Sequence, residues 1–237
     1  MKELITINGL SKNFGRLPAL RKINLTIQEG EIFGLLGPNA AGKTTLIRCL
    51  LQLLRPTQGD IYFQDKPLEH KTIRTQFGFL PENFLPYPYL SAWEILQGFS
   101  PTKKDGDKII QLLEMVGLGQ SEHRRIKEYS RGMIQRLGIA LALLSNPRVL
   151  VLDEPALGLD PLAQRQVLDL LLTLKSQGKT VFFSSHMLSQ VEKVCDRIGI
   201  ISNGRLIFLG KIEELLKSYN THSLEEAFVL TVEKGQS

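Results

Sequence analysis

The sequence predicts an α/β protein: a mostly parallel sheet, a small antiparallel sheet beside it, and a helical segment inserted into the core. Three observations predict this. Short apolar runs rich in β-branched residues alternate with helical patterns from Glu31 onward, as in parallel strands joined by helices. Residues 4–7, 23–27, 31–36 and 61–63 are strand candidates with few helices among them, which predicts the antiparallel sheet. From residues 82 to 145 the pattern turns helical, with candidates at 92–98, 105–116 and 132–144, before strands return at 149–152, 180–184 and 198–201. On this reading one domain covers residues 1–237. Residues 1–81 and 146–218 form the core with its β subdomain, 82–145 the helical insert and 219–237 a tail.

Composition limits the class of protein. Hydrophobic residues make up 43% and charged residues 22% of the 237, the balance of a globular chain with enough length for a full core. No apolar run approaches the roughly 20 residues that span a bilayer. The start, Met1-Lys2-Glu3-Leu4-Ile5-Thr6-Ile7, alternates like a strand and lacks the apolar core of a secretory signal, so a cytosolic protein is expected. Cys49 and Cys195 stand in apolar helical contexts without metal-ligand spacing and read as small core residues. A net charge of +5 without long like-charge blocks suits nucleic acid, an anionic surface or neither, and identifies no partner.

Two helices announce their ends. Asp160-Pro161 supplies an N-cap and a proline at the first helical position, Val167, Leu170, Leu171 and Leu174 share a face, and Gly178 closes the helix. Ser130 caps another, with Met133, Leu137, Leu141 and Leu144 at helical spacing. The tail carries one short helical pattern, 224–230.

Chemistry enters at Gly37-Pro38-Asn39-Ala40-Ala41-Gly42-Lys43-Thr44-Thr45, which fits G-x-x-x-x-G-K-[ST] between an apolar run and a helical pattern. Polyphosphate needs many donors close together. A glycine-bearing loop lets the backbone of Asn39, Ala40, Ala41, Gly42 and the residues after it turn N–H groups inward, and the helix N-terminus adds its positive end. Lys43 would reach the β- and γ-phosphates, with Thr44 holding Mg2+ and Thr45 beside it. The second element is Val149-Leu150-Val151-Leu152 ending in Asp153-Glu154-Pro155, carboxylates at the C-terminal end of a buried strand, where such sheets bind ligands. Asp153 suits Mg2+, and Glu154 suits a general base acting on the attacking water. Together these predict a P-loop NTPase core of the RecA-like kind using ATP and Mg2+.

The chain resembles the ATPase subunit of ATP-binding cassette (ABC) transporters over nearly its whole length. Tyr129-Ser130-Arg131-Gly132-Met133, with Gln135-Arg136 after it, is similar to the family signature LSGGQ. The resemblance implies that Ser130 and Gly132 bind the γ-phosphate held by a second subunit. It also implies that Phe14, in Asn13-Phe14-Gly15, stacks on adenine, a contact worth roughly 1–3 kcal/mol. Gly78-Phe79-Leu80-Pro81-Glu82 resembles the loop joining core and insert, with Glu82 facing the Mg2+. Gly158-Leu159-Asp160 resembles the loop that meets the partner across the dimer. Val181-Phe182-Phe183-Ser184-Ser185-His186 resembles the switch-histidine strand, and His186 would orient Glu154 or the water. A histidine capping the following helix is the alternative.

Four positions, in three motifs, depart from the family pattern. Glu82 stands for glutamine, Arg131 and Met133 for the glycine and glutamine of the signature, and Ala40 for a glycine. The first two resemble a branch of exporters handling drugs, sodium, haem or polysaccharide through separate membrane proteins. The resemblance therefore implies two copies, a homodimer, closing on two MgATP and pulling on an integral permease at the cytoplasmic face, with no nucleic acid partner. A soluble ABC ATPase serving cofactor assembly or nucleic acid is the alternative. A kinase or GTPase is disfavoured, because no Asn-Lys-x-Asp motif occurs.

Overall fold

The computed structural model describes residues 2–100 and 105–235. In chain order they form β1 (Glu3–Phe14), β2 (Leu17–Gln28), β3 (Ile32–Leu36), α1 (Lys43–Leu50), β4 (Gln58–Phe63), β5 (Lys66–Pro67), α2 (His70–Gln76), β6 (Phe77–Leu80), α3 (Ala92–Phe99), α4 (Gly106–Met115) and α5 (Arg131–Leu143). Then follow β7 (Val149–Asp153), α6 (Pro161–Ser176), β8 (Thr180–Ser185), α7 (Leu188–Val194), β9 (Arg197–Ser202), β10 (Arg205–Gly210), α8 (Ile212–Tyr219) and α9 (Leu224–Lys234).

Two sheets result. The first has the order β2-β1-β4-β5 and is antiparallel; the second has the order β10-β9-β3-β8-β7-β6, parallel except for the β9–β10 pair. One expectation is corrected here. The run at 31–36 does not join the antiparallel sheet: β3 lies inside the parallel one, between β9 and β8. Its burial explains the placement, since all five residues are buried, as a strand covered on both faces requires.

Period-two alternation sorts these strands into two cores. Ile32 and Leu36 of β3, Leu150 and Leu152 of β7, and Val181 and Phe183 of β8 join the core shared with α3–α6. Phe33, Leu35, Val149, Val151 and Phe182 face the other way, into the core shared with β1, β2 and α1. The parallel sheet is thus the wall between two hydrophobic layers. Every site residue on it is held by strands with no freedom to slip, since a one-residue shift would exchange the cores.

Several elements were not legible as such. The residues of β6 resemble a loop in sequence, yet they pair with β7 from Phe77 opposite Val149 to Leu80 opposite Leu152. β10 and α8 fall in a stretch for which no element was expected, and Cys195 sits just beyond the end of α7 rather than within a helix. α9 is longer than the pattern at 224–230, reaching Lys234, and anchors itself through buried Leu224 and Ala227.

α3, α4 and α5 all lie between β6 and β7, which are neighbours in the sheet. The junction is tight: a Cβ built on Gly78 would lie 2.1 Å from the Ala142 carbonyl oxygen of α5. Gly78→Ala is therefore expected to destabilise the fold by about 1–3 kcal/mol or more, because neither backbone can yield cheaply. Denaturant unfolding would read this as a lowered midpoint; an unchanged midpoint would mean that α5 is free to move off the sheet.

Candidate active site

The loop after β3 turns into α1 through Gly42, the helix N-cap, at φ 112. A side chain there would be strained, and its Cβ would lie 2.9 Å from the Ala19 carbonyl oxygen on β2. The loop is pinned by Ala41 N–H donating to Pro38 O at 3.2 Å and by Gly204 N–H donating to Ala41 O at 2.9 Å. The first helical bond, from Leu46 N–H to Gly42 O, is 2.9 Å. The N–H groups of Lys43, Thr44 and Thr45 precede it, at the helix end that lacks intrahelical acceptors. Ala40 occupies the left-handed region at φ 63, a conformation that costs a non-glycine residue about 1 kcal/mol.

This loop forms one side of a cleft of about 590 Å³. Asn39, Ala40, Ala41, Gly42, Lys43, Thr44 and Thr45 line it from below, and Glu82, Glu154 and His186 from the ends of β6, β7 and β8. Lys43 is buried, and its Nζ donates to Gly37 O at 2.7 Å and to Pro38 O at 3.4 Å. The same Nζ stands 3.3 Å from Glu154 Oε1, while Glu154 Oε2 meets His186 Nδ1 at 2.9 Å. One carboxylate thus bridges an ammonium and an imidazole. His186 does not cap the next helix, whose N-cap is Met187 without a side-chain bond.

Glu154 itself lies at φ 51. A glutamate in the left-handed region costs on the order of 1–3 kcal/mol and persists only where its surroundings over-determine it. Its N–H donates to Ser184 Oγ at 2.9 Å, and the Ser184 hydroxyl donates to Asp153 Oδ1 at 2.6 Å. Asp153 is only 2% exposed. Thr44 and Glu82 line the cleft; Asp153 stands behind its wall. A hydroxyl and two carboxylates are hard oxygen donors, and Mg2+ in phosphate sites takes one or two carboxylates with the remaining ligands from phosphate and water. The donor set fits.

Other expected residues lie elsewhere. Phe14 does not line the cleft: it is half-exposed near the β1–β2 turn, with Lys12 Nζ 5.2 Å from its ring centre. At 49% exposed it is no part of the hydrophobic core. Ser130 is exposed and caps α5, accepting from Met133 N–H at 3.2 Å. Gly132 is buried where α5 crosses α6, a Cβ there falling 2.7 Å from Ala163 Cβ. Asp160 caps α6 by accepting from Ala163 N–H at 2.9 Å. The start of α5 is fixed further by the partly buried Arg136 and the buried Tyr129. Arg136 donates to the Val116 and Gly117 carbonyls at 2.9 and 3.1 Å, and the Tyr129 hydroxyl donates to Ser121 O at 2.6 Å. Burial lowers the Arg136 pKa and raises that of Tyr129. Ser130, Gly132 and Asp160 do not line the cleft.

Ala19 and Leu157 also line the cleft and had no sequence signal. Both are ordinary apolar residues brought there by the β2 hairpin and by the turn after Glu154.

A family model for the ABC transporter matches residues 20–157, more than half of the chain. The chain belongs to the ABC transporter family. An uncharacterised ABC transporter ATP-binding protein of Nostoc is 43% identical over 89% of this chain. The lantibiotic transport ATP-binding protein SrtF of Streptococcus pyogenes is 36% identical over 95% of this chain and 96% of its own length. This ABC chain spans 65% of the length of the Nostoc relative and 59% of one from Synechocystis. Among solved structures, an ATP-binding subunit of an ABC transporter superposes with TM-score 0.85 at 29% identity, covering 96% of this chain and 99% of that one. A dimeric ATP-binding cassette in a post-hydrolysis state bound to ADP and Pi matches with TM-score 0.78 at 25% identity, covering 88% of this chain and 98% of its own.

Proposed function

We propose that the chain is the ATP-binding and ATP-hydrolysing subunit of an ABC transporter, and that two copies close around two MgATP to drive a separate membrane permease, in the export direction. The observation that carries this reading is Glu154, whose carboxylate meets Lys43 at 3.3 Å and His186 at 2.9 Å across the phosphate-binding loop. Glu154 takes the proton of the attacking water, His186 holds the carboxylate in place, and Lys43 meets the β- and γ-phosphates. Thr44, Asp153 and Glu82 would hold Mg2+, which would supply positive charge to the phosphates. Phe14 stacks on adenine.

The exposed Ser130, outside the cleft and at a helix N-terminus, supports a γ-phosphate site completed between copies by Ser130 and Gly132, with the Asp160 loop at their junction. An apolar groove of about 280 Å³ opens just after Glu82 and is lined by Phe84, Leu85, Tyr87, Leu90 and Phe99 among others. Leu85 and Tyr87 are 89% and 74% exposed. Side chains of this kind pack against an apolar partner face, which suits a cytoplasmic segment of the permease, and their continuity with Glu82 ties that partner to the cleft. Among the described residues no helix is long and apolar enough to cross a membrane. The chain would sit on the cytoplasmic face through its permease.

The test is to tag the Glu154→Gln protein, extract membranes in mild detergent with MgATP, and identify what copurifies. A stoichiometric polytopic membrane protein is expected. A protein found wholly in the cytosol, alone or on a soluble scaffold, would replace this reading by that of a soluble ABC ATPase.

A further inference from the structure

Ser184 is a serine among apolar residues. It is fully buried on β8, after Val181, Phe182 and Phe183, and stands opposite Asp153 in the last registered pair of β7 and β8. A hydroxyl in so dry a place is costly unless bonded, and this one is bonded on both sides. It donates to Asp153 Oδ1 at 2.6 Å and accepts the Glu154 N–H at 2.9 Å.

The position of these bonds matters. Strand pairing ends at Asp153, so the Glu154 N–H has no registered strand partner, and Ser184 Oγ takes the place of a backbone carbonyl. In an extended strand consecutive side chains point to opposite faces. The left-handed backbone at Glu154, φ 51, breaks that alternation at the first residue after β7. The bond to the Glu154 N–H fixes where the break occurs. The bond to Asp153 holds one carboxylate oxygen, Oδ1, and so fixes the rotation of that carboxylate.

We propose that Ser184 is a positioning residue for ATP hydrolysis, a two-sided bridge that sets the metal-side acid Asp153 and the base Glu154 in one fixed relation. The proposal rests on the ATPase reading above. Ser184 does not line the cleft and acts only through the two acids. A rotation of the Asp153–Glu154 peptide would move both acids together, and misplacement by about 1 Å costs roughly 100-fold in rate.

The experiment compares wild type, Ser184→Ala and Ser184→Thr in steady-state ATPase assays across Mg2+ concentrations, with amide hydrogen exchange at Glu154. Ser184→Ala is expected to lower kcat by roughly 10- to 100-fold while KM for ATP changes less than about threefold. It should also raise the Mg2+ concentration for half-maximal rate and speed exchange of the Glu154 amide, with the hydroxyl of Ser184→Thr restoring most of each. A Ser184→Ala enzyme with kcat within about twofold of an active wild type would overturn the proposal and leave the ATPase reading intact. So would a loss of rate that follows lowered thermal stability with the Mg2+ requirement unchanged. An inactive wild type would instead overturn the ATPase reading, and the proposal with it.

Discussion

Glutamine in place of Glu154 is expected to slow ATP hydrolysis by roughly 10²- to 10⁴-fold, the usual contribution of a positioned general base, while ATP still binds. The substitution keeps the shape and the backbone. Glu154 is held at φ 51 through its own N–H to Ser184 Oγ, a bond that does not depend on the side-chain charge. What changes is chemistry, since an amide takes no proton from water at neutral pH. Lys43 loses its partner at 3.3 Å but keeps the Gly37 and Pro38 carbonyls, so the loop stays formed. Removing a negative charge from beside the phosphates does not weaken their binding. Nucleotide that binds and is not cleaved should hold two copies together. Single-turnover hydrolysis, ATP titration and size exclusion with MgATP read the three parts of this expectation. Normal hydrolysis by the variant would remove Glu154 as the base.

How much of this was legible in the sequence depends on whether the information is local. The phosphate loop was, because a cradle of successive N–H groups must come from consecutive residues, and Gly42 at φ 112 admits no side chain easily. Asp153 and Glu154 were legible because four buried β residues ahead of them place them at a strand end. The helix caps Ser130 and Asp160 were legible for the same reason: cap and capped N–H are three residues apart.

What escaped was set by register and by distant partners. β3 was grouped with the antiparallel strands because an apolar run carries no mark of its neighbours, which here are β9 and β8. β6 has four residues, too few for periodicity to count. β10 does carry a local signal: Asn203-Gly204 is the dipeptide of a tight hairpin, and both residues adopt positive φ, 49 and 74. Ser184 lies inside a strand that the sequence marks, but its role depends on its pairing opposite Asp153. Ala19 entered the cleft through the β2 hairpin, which nothing in its own neighbourhood predicts.

Lys43→Ala is expected to weaken ATP binding by roughly 10- to 150-fold, the equivalent of about 1.5–3 kcal/mol for a hydrogen bond between charged groups. The loop's other donors are backbone N–H groups that the substitution leaves in place, so the loss belongs to one ammonium. That ammonium is already confined: it is buried and lies between two loop carbonyls and the Glu154 carboxylate, so little side-chain freedom remains to be lost on meeting a phosphate. Arginine should not rescue it. A planar guanidinium is wider than an ammonium and presents its donors in a fixed fork, whereas the pocket between the Gly37 and Pro38 carbonyls is built for a point charge. The Arg variant is therefore expected to resemble the Ala variant. Adenosine, which has no phosphate, should bind all three proteins alike. If ATP affinity were unchanged in Lys43→Ala, the phosphates could not lie against this loop, and the assignment of Lys43 and Thr44 would fall together. If adenosine weakened as much as ATP, the loop itself would have collapsed, and the ammonium would be structural rather than a phosphate ligand.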